Sequence, residues 1–292
     1  MDKRDKKKKR FHMTSLSERI KKGKKLFVVY ILLRLAIILV MIAQFFNGNY
    51  ENVFLCVLSL ILFTIPSFIE DNYHIDIPNT LEIIILVFIF AAEILGEISS
   101  YYVRYPFWDT ALHTTTGFLA AAVGFSLVDI LNSNERIRFN LSPIFMTVVA
   151  FCFSMTIAVI WEFIEFSIDY IFGLDMQKDT VIHTINSVML DPTKSNKVVS
   201  IKNIGSVVVN GVDLGLDGYL DIGLYDTIKD MAVNFVGAIV FSIIGFFYVK
   251  GKGKGSFAKQ FIPTKVRDTD HSNSSKKSQD NDNKVRRDSK EV

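Results

Sequence analysis

The chain has 292 residues, of which 50% are hydrophobic and 22% charged, with a mean hydropathy of +0.30 and a formal net charge of +3. That small net charge hides a partition. Residues 1–25 hold 12 Lys/Arg against 3 Asp/Glu, residues 251–292 hold 11 against 6, and the body between them holds 10 against 21. A hydrophobic, acidic body excludes nucleic acid as its partner, because that would need positive charge on a folded face, and it argues against a simple soluble globule.

Residues 1–25 read as a basic cytoplasmic leader. It is followed by an apolar run of full spanning length with no small-residue cleavage site, so it is a retained first helix rather than a cleaved signal. Within it, 13–25 (MTSLSERIKKGKK) reads either as a short helix lying on anionic lipid or as a structureless basic arm. A bilayer core of ~30 Å needs about 20 helical residues. Six segments meet that length: 26–46, 52–69, 80–98, 109–131, 143–172 and 226–249. Backbone polar groups must be satisfied internally in lipid, so these are helices. The expected fold is an all-α membrane protein, a six-transmembrane-helix bundle over residues 26–250.

Lys/Arg placement orients the bundle. The leader, the 132–142 loop with Arg136 and Arg138, and Lys250, Lys252 and Lys254 after the last span fall on the cytoplasmic side. This gives a multi-pass protein of a bacterial plasma membrane with both termini cytoplasmic. The 173–225 segment is too long for a plain connection. It contains VVSI at 198–201, VVV at 207–209 and then Asn210-Gly211, a strong hairpin signal, so it reads as a small extracytoplasmic, β-hairpin-containing cap. Asp213, Asp217 and Asp221 within it lack the alternate-position spacing of an EF-hand. Residues 251–292, rich in Ser, Asn, Asp and Lys, read as a disordered cytoplasmic tail. Cys56 and Cys152 sit in apolar runs and indicate no disulfide.

Ionisable groups inside spans are costly and mark function by default. Here they gather at one end of four helices. They are Glu93 and Glu97; Asp109 and His113; Glu162, Glu165 and Asp169; and Asp226, Asp230 and Asn234. Spacings of three and four put each set on one helix face. Read singly, each set fits a helix cap, as Asp109-Thr110 and Asp226-Thr227 do. Read together, so many carboxylates at one depth need protonation or a cation. The expected site is a divalent metal centre held by Asp109, His113, Glu162, Glu165, Asp226 and Asp230, with Glu93, Glu97, Asp169 and Asn234 in the surrounding polar cluster. Oxygen and imidazole ligands suit Zn, Mn, Fe or Mg. His113 oriented by Asp109 also reads as a catalytic general base. The structural alternative is a hydrogen-bonded packing network. Gly117, Gly124, Gly237 and Gly245 are expected to let the fourth and sixth spans approach closely.

The stretches WDTALHTTTGFLAA (108–121), WEFIEFSID (161–169) and YDTIKDMAVNFVGA (225–238) resemble an uncharacterised group of bacterial polytopic membrane proteins typified by YjdF, distantly similar to the VanZ-like proteins of the cell envelope. The resemblance covers roughly 80–250 and falls on Asp109, His113, Glu162, Glu165, Asp226, Asp230 and Asn234. It implies work on an envelope or lipid-linked substrate at the outer face. The functions expected are therefore a metal-dependent hydrolase or transferase acting on a lipid or envelope precursor, an ion-coupled transporter, or a non-catalytic envelope protein whose acidic cap binds a partner.

Overall fold

The computed structural model describes residues 23–73, 75–132 and 141–265. The leader up to residue 22, the Arg136–Arg138 loop and the tail beyond 265 lie outside the described residues. Helix α1 (Lys24–Phe46) is followed by a tight turn in which Gly48 takes φ 76°. Next come α2 (Tyr50–Leu62) and α3 (Ile65–Tyr73). They form one spanning stretch interrupted at residues 63–64. Pro66 has no N–H to return to the Leu62 carbonyl, which breaks the ladder there.

Strand β1 (Ile75–Asp76) leads into α4 (Asn79–Ile89), which continues as a π-helix over Phe90–Ile98. A four-residue helix α5 (Tyr101–Arg104) precedes the long helices α6 (Trp108–Asn132) and α7 (Pro143–Phe172). Helix α7 opens on Ser142, whose hydroxyl accepts from Phe145 N (3.2 Å), with Pro143 at the first helical position, and closes on Gly173 at φ 66°. Helix α8 (Leu224–Lys250) starts after Gly223, also left-handed at φ 83°.

Among the described residues five stretches are long and apolar enough to cross a membrane: Lys24–Phe46, Tyr50–Tyr73, Trp108–Leu131, Pro143–Phe172 and Leu224–Lys250. The remaining expected span, 80–98, is helical throughout but divided between α4 and the π-helix. The outward faces of the long helices carry large apolar side chains in the open, among them Leu32, Leu39, Ile144 and Phe163.

The helices sort into two groups. Leu26, Ile37, Cys56, Phe63, Leu86 and Ile94 form a core for α1, α2 and α4 with its π extension. Ala121, Phe125, Met146, Ala150 and Phe241 form a second core for α6, α7 and α8. This second core takes in Ala258, Phe261 and Ile262, which follow the last span. That corrects the expectation of a disordered tail from residue 251. The apolar group Phe257, Phe261, Ile262 and Pro263 folds back, and the Phe261 ring lies 5.0 Å from that of Phe118. Averaged composition hid this short apolar knot inside a polar stretch. Strand β8 (Thr264–Lys265) then pairs antiparallel with β1, Ile75 opposite Lys265 and Asp76 opposite Thr264. The α3–α4 connection and the segment after α8 therefore meet at one end of the bundle.

The 174–223 segment caps the opposite end. Strands β2 (Val181–Ile182) and β7 (Tyr219–Leu220) pair around two inner hairpins, β3 (Thr184–Ser187) with β4 (Val199–Lys202) and β5 (Val208–Val209) with β6 (Val212–Asp213). The Asn210-Gly211 turn has both residues at positive φ, 53° and 83°, as a type I′ hairpin requires. Asp191 is buried and organises the β3–β4 connection. Its carboxylate accepts from the N–H and hydroxyl of Thr193 and of Ser195 and from Lys197 N, which holds it well below the usual carboxylate range. Asp213 and Asp221 likewise accept backbone N–H groups, of Gly215 and of Thr180 and Tyr225.

Candidate functional site

The first turn of α6, the last three turns of α7 and the first two turns of α8 converge under the cap. Two glycines make this possible. A Cβ on Gly117 would collide with the Asn234 backbone, and one on Gly237 would collide with the Thr114 carbonyl. So α6 and α8 touch backbone to backbone, reciprocally, one turn beyond the site. Ser154 of α7 fastens the same level by donating to the Gly117 carbonyl (2.8 Å) and lies 3.5 Å from Asn234 Nδ2. The hydroxyls of Thr114, Thr115 and Thr116 are bonded back to carbonyls of their own helix and take no part in the site.

His113 sits at the centre. Its Nε2 lies 3.4 Å from Asp109 Oδ1 and 3.6 Å from Asp230 Oδ2. Side-chain exposure falls from 19% at Asp109 and 13% at His113 to 2% at Asp230, so the site deepens from α6 toward α8. Two sets of donors have ligand atoms mutually within 4.8 Å: Asp109, His113 and Asp230, and Glu162, Glu165 and Asp230. Glu162 and Glu165 are both buried. The indole N–H of Trp161 donates to Glu165 Oε1 (2.7 Å), whereas Glu162 Oε2 and Asp230 Oδ1 have no hydrogen-bond partner.

One cation reaches the outer part of this cluster. The Lys229 ammonium lies 3.2 Å from Asp109, 3.7 Å from Asp226 and 3.9 Å from Asp230, and its side chain is 44% exposed. Asp226 faces Lys229 with one oxygen and accepts Lys178 N (2.9 Å) with the other. Asp169 accepts Met176 N (2.6 Å) and Gln177 N (2.8 Å), and Gln177 Nε2 donates to Thr227 (2.7 Å). Carboxylates at the ends of α7 and α8 thus tie residues 176–178 down as a strap over the site. Asp226 joins this strap to the cluster, and Asp169 serves the strap.

Glu93 and Glu97 lie on the π-helix and stand outside both donor sets. Between them and the cluster is Tyr102. Its ring occupies the space a Cβ on Gly96 would fill. Burial raises the phenol well above its ordinary value, and the carboxylates of Glu97, Asp109, Glu93 and Glu165 add to the effect, so it stays neutral. Neither Tyr102 nor Trp161 was among the residues expected at the site. The four-residue step from Trp161 to Glu165 was the available signal for the latter. Trp108 donates its indole N–H to the Ala91 carbonyl (3.3 Å) and packs edge-on against Tyr101. An apolar groove of about 300 Å3 on the outer side of α7, lined by Ile160, Phe163, Ile164 and their neighbours, shares no residue with this site.

No curated protein and no solved structure matches the chain. The sequence model of a family described as a predicted membrane protein family, DUF2238, matches residues 28–251, a span holding all six expected transmembrane segments but the first two residues of one and every residue of the candidate site, and the chain therefore belongs to that family.

Proposed function

We propose that this chain is a metal-dependent hydrolase or transferase of a bacterial plasma membrane, acting on a lipid or cell-envelope precursor. In this reading six spans cross the bilayer, both termini are cytoplasmic, and the 174–223 cap lies outside. The observation that carries it is the donor set of Asp109, His113 and Asp230, an imidazole nitrogen and two carboxylates with ligand atoms within 4.8 Å. That set suits Zn, Mn, Fe or Mg. A divalent ion there lowers the pKa of a bound water to about 7 and polarises a carbonyl or phosphoryl oxygen. Asp109 and Asp230 flank His113 and fix its ring. Glu162 and Glu165, from the facing helix, add their carboxylates to the same cluster through Asp230. The partly exposed edge at Asp109 and Lys229 gives a substrate headgroup its approach, with Lys229 available to an anionic group. The resemblance of 108–121, 161–169 and 225–238 to the YjdF-like group, itself distantly similar to VanZ-like envelope proteins, supports the same substrate class.

The reading of an ion-coupled transporter needs a polar route through the bundle. Beyond Asn234 the space between α6 and α8 is filled by Phe118, Phe125 and Phe241, with ring centroids 5.1 and 6.0 Å apart, which speaks for a closed site. Metal analysis of the purified full chain tests the proposal. Wild-type protein is expected to hold a divalent ion that Asp109→Ala and His113→Ala lose. A well-folded, metal-free wild type whose stability ignores both chelator and added metal overturns it.

A further inference from the structure

We infer that the site holds two divalent ions, with the Asp230 carboxylate bridging them. This inference rests on the metal site proposed above and deepens it. Asp230 is the one residue common to both donor sets, Asp109–His113–Asp230 and Glu162–Glu165–Asp230. Metal–ligand bonds of ~2.0–2.2 Å put the ligands of one ion up to about 4.4 Å apart, so each set closes on an ion with movements of a few tenths of an ångström. The two sets hold five donors in all and share Asp230 alone, Asp109 and His113 coming from α6 and Glu162 and Glu165 from α7. A carboxylate has two oxygens with lone pairs directed apart. In Asp230 one of them, Oδ2, lies 3.6 Å from His113 Nε2, and the other, Oδ1, has the Lys229 ammonium 3.9 Å away but no hydrogen-bond partner, although the residue is 1% exposed.

Charge points the same way. Lys229 approaches Asp109, Asp226 and Asp230. It is paired with neither Glu162 nor Glu165, which are 5% and 7% exposed. The only hydrogen bond to Glu165 described above comes from the Trp161 indole, and Glu162 Oε2 receives none. Removing a carboxylate from water costs several kcal/mol unless a cation or donors replace the water. The outer set has its ammonium. Within the inner set Lys229 reaches only Asp230, at 3.9 Å, so that among the described residues no Lys or Arg pairs with Glu162 or Glu165, and the unpartnered Oε2 of Glu162, a residue 95% buried, is where a second ion binds. Two ions about 3.5–4 Å apart clamp the attacking and leaving oxygens of an in-line displacement, the geometry suited to a phosphate ester or anhydride. The substrate class this implies is a phosphate-linked lipid or envelope precursor.

The test uses the full chain in detergent, loaded with Mn(II) and exchanged into metal-free buffer. Metal per chain is measured by mass spectrometry, and the ions' coupling by electron paramagnetic resonance. Two Mn per chain with an exchange-coupled spectrum are expected in wild type. In Glu162→Gln/Glu165→Gln we expect one Mn with an isolated six-line spectrum. One Mn per wild-type chain, or two without coupling, overturns the bridged pair and leaves the outer site standing. No retained Mn overturns the outer site as well. The wild-type count alone decides the matter should the double variant fail to elute as a monodisperse species.

Discussion

In the proposed site Lys229 occupies the position for which a metal ion would compete. Its ammonium sits against Asp109, Asp226 and Asp230 at 3.2 to 3.9 Å, yet 44% of the side chain is exposed, so it can swing into solvent on a flexible stem. The residue therefore acts as a tethered counter-ion that offsets the mutual repulsion of the outer carboxylates. Removing it takes away both a competitor and a repulsive charge. Lys229→Gln is expected to tighten Mn(II) binding at the outer site about tenfold, equivalent to ~1.4 kcal/mol, with the gap narrowing at high salt. Isothermal titration of apo protein checks this. Unchanged or weaker binding would mean that the ammonium is a spectator, or that it orients the carboxylates rather than opposing the metal. The neighbouring acids divide by what they touch. Asp109 and Asp230 face His113, Asp226 splits its oxygens between Lys229 and the strap, and Asp169 holds strap backbone only.

At the level of elements, the site exists because two helices approach without side chains between them. Gly117 faces the Asn234 carbonyl and Gly237 faces the Thr114 carbonyl, backbone atoms that cannot rotate aside. A methyl group at Gly237 must push α8 away from α6, and Asp230 rides on α8 two turns before it. Gly237→Ala is expected to cost about 1–3 kcal/mol, as overpacking does elsewhere, and to lower metal occupancy along with the melting temperature. Val240→Ala, on the exposed face of the same helix, should change neither by more than a few tenths. Thermal melts in detergent with metal analysis read both effects. A Gly237→Ala protein as stable and as metal-loaded as wild type would show that the helices are not held at contact distance.

These contacts also mark how far the sequence was legible. The steps of four from Asp109 to His113 and from Asp226 to Asp230 and Asn234 fix residues on one helix face, because helix periodicity is local. The small residues at 117 and 237 announce a close approach. Three features were not legible, since each is decided by partners distant in sequence. The π-helix over 90–98 shifts Glu93 and Glu97 out of the register an α-helix would give them. The strap at 176–178 binds acids some 50 residues away on α8 as well as Asp169 on α7. Phe261 returns to Phe118 from a stretch whose average composition is polar.

Across the whole molecule the two ends of the bundle differ in kind. At one end lie the β1–β8 pair, the folded-back Phe257–Pro263 segment and, directly after α8, Lys250, Lys252 and Lys254. At the other lie the cap, the strap and the carboxylate cluster. Short basic flanks stay on the side of synthesis, whereas acidic segments cross with little penalty, so the asymmetry of charge predicts that the capped end faces out. This orientation can be read directly by placing one thiol at each end. Cys56 is buried, and Cys152, which is exposed on the outward side of α7, is first replaced by Ala. Ser206→Cys in the cap and Lys254→Cys after the last span both sit at exposed positions. A membrane-impermeant maleimide applied to intact cells is expected to label Ser206→Cys fully and to label Lys254→Cys only after the membrane is opened. The reverse pattern would place the metal site at the cytoplasmic face, where its substrate would have to be drawn from the inner leaflet. Labelling of both positions in intact cells would mean an even number of crossings between them and would exclude α8 as a lone span. With the expected outcome, the acidic end lies outside, where divalent cations arrive from the medium and where envelope precursors present their phosphate-linked headgroups.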